Sequence, residues 1–382
     1  MNTPPEKFND DLLLNTRDRD LAAAIFGDIL YVIDFPELRE LFSAYDVPAN
    51  RAKKYRRSVG MLAIAFGVIA LLGASAALLH DKDQTEWPRQ LAGFCAAMGV
   101  VSLLLGSIGT LAGRSKRRWL CGRVMTERLR QFHFQTLVCR LEEIVASARD
   151  ASARQKYLEA RRGWLAAYRL AYEGHLPARL RETLDDEAEE NVWLHPALRH
   201  ESRIDPADPA LRSVFAAYRL LRFEHQIQYA NFRLGADEGV FSSSATRQLA
   251  VLRNVALLFI LIIFISNLSL AAVLGFGALF GAASAGAAAA QTGILSSAHV
   301  HVVILWLFVG IVAMRTLEEG LQPAREVERY THYRSCMLSL LKRFDAAAEP
   351  QEKLAIMREA ERASYQEMRG FLRTHNDASY IL

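Results

Sequence analysis

The reading of this chain turns on Asn254–Met314, NVALLFILIIFISNLSLAAVLGFGALFGAASAGAAAAQTGILSSAHVHVVILWLFVGIVAM, 61 residues without one Asp, Glu, Lys or Arg. A helix crossing a bilayer takes about 20 apolar residues at roughly 1.5 Å each. The stretch is too long for one crossing and fits two, at 254–280 and 298–315, around the Gly/Ala/Ser-rich link GAASAGAAAAQTGILSSAH. A soluble core rarely needs so long an uncharged run. The chain is predicted to be an integral membrane protein.

Upstream lie two more uncharged blocks, Ser58–Leu79 and Gln90–Gly113. Between them HDKDQTEWPRQ carries Asp81, Asp83 and Glu86 against Lys82 and Arg89, and its Trp87 suits an interfacial anchor. Arg51, Lys53, Lys54, Arg56 and Arg57 precede the first block, and Arg114, Lys116, Arg117 and Arg118 follow the second. Arg247 and Arg253, then Arg315 and Arg325, flank the later pair. Positive charge marks the cytosolic side. Four crossings near 58–79, 90–113, 254–280 and 298–315 therefore leave both termini and residues 114–253 in the cytosol. The expected fold is an all-α integral membrane protein with four transmembrane helices as two hairpins, 58–113 and 254–315, and a helical cytosolic bundle. An N-terminal amphipathic and basic segment, 1–57, and C-terminal helices, 316–382, complete it.

The 382 residues are 51% hydrophobic and 23% charged, with a net charge of +4. That small excess sits beside the apolar blocks, where it reads as topology signal and lipid-headgroup contact, so no direct nucleic-acid binding is expected. Cys95, Cys121, Cys139 and Cys336 form no framework and are expected to stay reduced. No secretory h-region opens the chain, and residues 1–20 are expected to be loosely packed.

Outside the blocks the periodicity is helical. An amphipathic pattern runs from Leu21 to Tyr45, interrupted at Pro36. Trp119–Arg149 contains no Pro, and Phe134, Leu137, Leu141 and Ile144 step along one face. Ser152–Gly174 continues the pattern. Pro177, Pro196, Pro206 and Pro209 mark a loop-prone region around the acidic run Asp185–Glu190, which reads as a solvated helix face. Ala210–Leu234 places Tyr218, Leu221, His225 and Phe232 on one face. Tyr330, Tyr333, Met337, Leu340 and Phe344 form a stripe at steps of 3, 4, 3 and 4, a candidate oligomer or bundle contact. A last helix spans about Gln351–Arg373.

Catalytic patterns are missing: no phosphate-binding Gly loop, nucleophile elbow, H-E-x-x-H or paired C-x-x-C occurs. No enzyme activity, cofactor or metal is expected. His299 and His301 would need an extended loop to share a ligand, because residues two apart on a helix diverge. Ser266, Asn267 and Ser269 are the most polar group inside a crossing. They suit helix–helix hydrogen bonding or the lining of a conduit. Gly109-x-x-x-Gly113 and Gly277-x-x-x-Gly281 permit close helix approach. Glu127 and Glu328, each next to an Arg, read as repeat-related ion pairs beside the headgroups.

The order of elements repeats: an approach helix, two crossings and a long exit helix occur twice. The exit RRWLCGRVMTERLRQFHF, with Trp119, Arg123 and Glu127, resembles the segment after the second crossing of SLATT-type proteins (SMODS- and SLOG-associating two-transmembrane domains). The approach YRLLRFEHQIQYANF is similar to that family's Tyr-x-x-x-Arg-x-x-x-Gln-x-x-Tyr pattern, at Tyr218, Arg222, Gln226 and Tyr229. AYDVPANRAKKYRR also fits. The resemblance covers about 40–145 and 210–345 and implies two copies in tandem, although the second exit has Gly320 where the Trp would stand. It also implies a bacterial inner-membrane effector of an anti-phage or conflict defence system, coupled to nucleotide-signal sensors and breaching the membrane. On this reading the chain forms a homo-oligomer in the lipid bilayer and permeabilises it. The competing reading is a membrane anchor that recruits a soluble defence protein on its cytosolic side. A selective channel ranks below both, since the crossings carry no charge.

Overall fold

A computed structural model of the protein describes residues 8–76, 87–111, 114–195, 205–235, 244–279 and 298–378. The described residues are 87% helix and contain no strand. Four helical stretches are long and apolar enough to cross a membrane: Leu30–Ala76, Gln90–Ser107, Ala245–Ser269 and Val300–Ala346. Only 6% to 28% of their most apolar windows is buried, so these faces lack a protein cover of their own. The links on either side of Thr85 and around Ala288, together with Gly113 and Gly281, lie outside the described residues.

The chain divides into two compact units. Unit 1 comprises Met1–Lys53, Lys116–Ala236 and Arg325–Asp377; unit 2 comprises Lys54–Ser115, Asp237–Ala324 and Ala378–Leu382. In order, the helices are α1 (Thr16–Ile25), α2 (Leu30–Ile33), α3 (Pro36–Ala76), α4 (Trp87–Leu111), α5 (Arg114–Cys139), α6 (Leu141–Arg149) and α7 (Ala151–Tyr172). There follow α8 (Leu176–Asp185), α9 (Pro209–Tyr218), a π-helical segment (Arg219–Glu224) and α10 (His225–Leu234). The last four are α11 (Ala245–Leu279), α12 (Ala298–Leu321), α13 (Pro323–Ala346) and α14 (Pro350–Asp377).

Within unit 2, small residues and backbone acceptors let the apolar helices meet. Ser102 Oγ on α4 donates to Ala63 O on α3 at 2.8 Å. Trp306 Nε1 on α12 donates to Ser75 Oγ on α3 at 2.8 Å. Phe259 of α11 fills the notch at Gly310 of α12, where an added Cβ would come within 2.5 Å of the ring. Such close approach is how helices associate without a hydrophobic driving force between them.

Unit 1 packs around an apolar core that also encloses ion pairs. Residues 8–20 are packed into it, contrary to the loose packing expected for residues 1–20, of which 1–7 lie outside the described residues. Leu12 and Leu13 are buried, and the carboxylate of Asp18 accepts from the Asn9 and Asp10 backbone N–H groups at 3.0 and 2.9 Å. Pro36 opens α3 rather than kinking a helix, because the first turn needs no N–H from it. Arg161 caps the short α2 by donating to Tyr31 O at 2.6 Å and Val32 O at 3.3 Å. The long exit helix breaks at Arg140 before α6. Phe134, Leu137, Leu141 and Ile144 are all buried in one core with the α13 stripe.

Three expectations change. Pro177 falls in the first turn of a helix, α8, within the region read as loop. The acidic run is the turn after α8 rather than a solvated helix face. Asp186 is buried there and accepts from the N–H groups of Glu190 and Asn191 at 2.9 and 3.1 Å and from the Tyr365 hydroxyl. Phe232 is 53% exposed rather than in line with Tyr218 and Leu221, and Ile227 and Ala230 are buried instead. The π-helical segment explains this, since a π turn adds one residue and rotates everything after it out of the α register.

Candidate functional site

The residues that carried the family resemblance converge within unit 1. On α5, Arg123, Glu127 and Arg130 follow one another at i, i+4 and i+7, which puts them on one face. Glu127 pairs with Arg123 and, at 2.8 Å, with Arg130. Arg130 Nε then reaches Asp11 at 2.9 Å, and Gln226 Nε2 on α10 donates to the same carboxylate at 3.0 Å. Burial would raise the Glu127 carboxyl, but the two guanidiniums hold it below its ordinary value.

The π-helical segment aims Arg222 at Glu361 on α14. Nε and Nη2 meet the two carboxylate oxygens at 2.9 and 3.1 Å, and the Tyr218 hydroxyl donates to Glu361 at 2.8 Å. Both charged side chains are essentially inaccessible, at 2% and 0%. The Arg222 guanidinium also lies over the Phe134 ring at 4.6 Å. Trp119 packs edge-on against Phe371, with centroids 5.9 Å apart, and against His375 at 5.0 Å. His375 Nε2 lies 3.2 Å from Glu326, which Arg233 pairs at 2.7 Å. Those two partners outweigh burial and hold the Glu326 carboxyl down at about 2.

Between these ion pairs is a cavity of about 120 Å³. Arg123, Glu127 and Arg130 of α5 face His225, Gln226 and Tyr229 of α10 across it. Tyr330 and Tyr333 of α13 and Glu367, Met368 and Phe371 of α14 complete the wall. Tyr229 and Tyr330 meet edge to face at 5.9 Å. Burial acts to raise the Tyr330 phenol, but Arg329 and Arg233 overcome it and the group is lowered; Tyr229 is raised by burial and by the neighbouring Tyr330. Arg329 lies over the Tyr330 ring at 4.2 Å and pairs with Glu367. The Nδ1 atom of His225 is buried and has no hydrogen-bond partner among the described residues.

Four of the seven family-motif positions, Arg123, Glu127, Gln226 and Tyr229, thus line one cavity. Tyr218 and Arg222 share the Glu361 pair, and Trp119 packs on the wall residue Phe371. Of the α13 stripe, Tyr330 and Tyr333 reach the cavity, whereas Met337, Leu340 and Phe344 sit in the apolar core at 0%, 4% and 2% exposure. The stripe is therefore covered by its own chain. Of the two acids read as repeat-related ion pairs, Glu127 is ion-paired, whereas Glu328 is exposed and Glu326 is the buried, paired acid on α13. Ser266, Asn267 and Ser269 belong to α11 of unit 2 and take no part in the cavity. Asn267 and Ser269 are exposed, Ser266 is half-buried, and Asn267 Nδ2 donates to Ile263 O at 2.8 Å. His301 is on helix α12.

Sequence reasoning missed Asp11, Glu361 and Glu367. Glu361 had a signal: it falls on the α14 face of Met357, Ala360, Ser364, Tyr365 and Met368, where an acid interrupts a core stripe. Asp11 had none. Comparisons with protein-family models, with curated proteins and with solved structures find no match.

Proposed function

We propose that the chain is a bacterial inner-membrane effector of a defence system that self-associates in the bilayer and permeabilises it. Both termini and unit 1 are then cytosolic, and the four apolar stretches form two hairpins. The bacterial and defence setting rests on the SLATT resemblance, and the orientation rests on the Arg and Lys clusters. One observation carries the permeabilising step. Asn267 and Ser269 present polar groups on the exposed surface of an otherwise apolar span. Hydrocarbon cannot satisfy such groups, so they favour a neighbouring helix or a water-lined path. Self-association accordingly moves from the α13 stripe, which is filled internally, to the spans. No enzyme activity is part of this reading.

The membrane-anchor reading draws on a different observation: the core of unit 1 is complete in one chain, leaving its outer surface for a soluble partner. The experiment compares wild type with Asn267→Leu in bacteria carrying a membrane-potential dye and in dye-loaded liposomes. The effector reading expects depolarisation and leakage from wild type alone and a several-fold reduction in the variant at equal membrane abundance. A wild-type protein inert in liposomes and toxic only beside a soluble partner would establish the anchor instead.

A further inference from the structure

We infer that the cavity of unit 1 binds a small zwitterion of the α-amino-acid class. This goes beyond the membrane reading and does not rest on it. Size comes first. A cavity of about 150 Å³ holds benzene, so about 120 Å³ admits a ligand of roughly five non-hydrogen atoms. Charge comes next. The wall presents two guanidiniums, Arg123 and Arg130, and two carboxylates, Glu127 and Glu367. Each is already engaged by an opposite charge: Glu127 by both arginines, Glu367 by Arg329. A simple anion must compete with Glu127 for the arginines, and a simple cation must compete with the arginines for the acids. A ligand bearing both charges adds a partner to each side and leaves the balance unchanged.

The remaining groups suit the same ligand. The Tyr229 ring and the Glu367 carboxylate suit an ammonium, and the Arg123 guanidinium, less buried than that of Arg130 and sharing Glu127 with it, is the better placed to take a carboxylate. Met368 and Phe371 leave room for a short apolar side chain. Tyr229, 39% exposed, and Arg123 stand at the opening. The polar walls are fixed by pairs made before any ligand arrives, which limits the ordering cost of binding.

The test titrates the full-length protein in lipid nanodiscs with glycine, L-alanine and L-serine, by calorimetry and by thermal shift. Sodium acetate and methylammonium chloride, each carrying one of the two charges, are the comparators. Saturable binding of at least one amino acid, at least tenfold tighter than either comparator, is expected. Arg123→Gln leaves Glu127 paired with Arg130, so the variant should keep the wild-type melting temperature and weaken binding at least tenfold. Tyr229→Ala removes the ring that meets Tyr330 at the opening and should weaken binding to the same degree if Arg123→Gln fails to fold. The inference is overturned if no amino acid gives a saturable signal, if acetate or methylammonium binds as tightly, or if the folded variants bind like wild type.

Discussion

Arg222→Met is the sharpest probe of how unit 1 is held together. The substitution keeps most of the length and apolar stem of the side chain and removes its charge. It strands the Glu361 carboxylate, 0% exposed, with the Tyr218 hydroxyl at 2.8 Å as its remaining close donor. Removing one member of a buried ion pair costs about 3–5 kcal/mol, because the other is left desolvated and uncompensated. For a unit of this size each kcal/mol moves the melting temperature by about 2–4 °C, so a fall of roughly 6–20 °C is expected. The double variant Arg222→Met, Glu361→Leu should recover most of that loss. It leaves no buried charge, and the Tyr218 hydroxyl keeps an acceptor in Met357 O at 3.1 Å. Thermal unfolding followed by far-ultraviolet circular dichroism on the full chain measures both. If the single variant loses less than about 1 kcal/mol, or the double variant is as unstable as the single, the pair is not what the geometry says it is.

Stability should fall on mild acidification. Burial holds His133 and His195 down at about 4, from an ordinary value of 6.5. Between pH 6.5 and 4 the unfolded chain binds protons that the folded chain refuses, so stability is full above 6.5 and is lost as the pH drops through that window. The loss is on the order of 1.4 kcal/mol per histidine per pH unit, and denaturant midpoints at pH 7 and pH 5 should show it, with a flatter slope in a His133→Gln, His195→Gln variant. Phe344→Ala removes a ring packed against Phe215 at 5.9 Å and Phe223 at 5.4 Å. It should destabilise unit 1 by about 3–5 kcal/mol without changing the particle mass measured by light scattering, and a change in subunit number would return the stripe to the oligomer interface.

Most of the membrane character was legible in the sequence because lipid imposes a composition that needs no partner to be read. Absence of charge from Asn254 to Met314 suffices. The core stripes were legible too: Phe134–Ile144 and Tyr330–Phe344 keep the 3-4 step from end to end. What the stripe touches was not legible. Apolar periodicity says that a face is covered but not by which chain, and here the cover is internal. The π-helical segment was invisible for another reason. Its four-residue spacing from Tyr218 to Arg222 to Gln226 reads as ordinary helix, and only its effect on Ile227, Ala230 and Phe232 reveals the added residue. The motif residues were found as two separate patterns. That they share a cavity depends on Asp11, near the start of the chain, and on Glu361 and Glu367 of α14, far from both patterns.

Asp11, Glu361 and Glu326 bear on why unit 1 spends charge on its interior at all. Replacing a buried ion pair with well-packed apolar residues is often neutral or stabilising, so stability alone does not account for the network. Apolar stripes tolerate a helix that slides or turns by part of a residue step, because one methyl group substitutes for another. A carboxylate that must meet a given guanidinium does not. Asp11 joins the N-terminal segment to α5 and α10 at once, through Arg130 and Gln226. Glu361 fixes the π-helical segment against α14, and Glu326 fixes α13 against α10 and α14 through Arg233 and His375. Each acid thus sets the rotation of a helix that its hydrophobic face leaves loosely specified. The helices so aligned are α5, α10, α13 and α14, the four that wall the cavity. The interior charges therefore fix the cavity's shape, and the weaker constraint of the apolar stripes alone would leave it undefined.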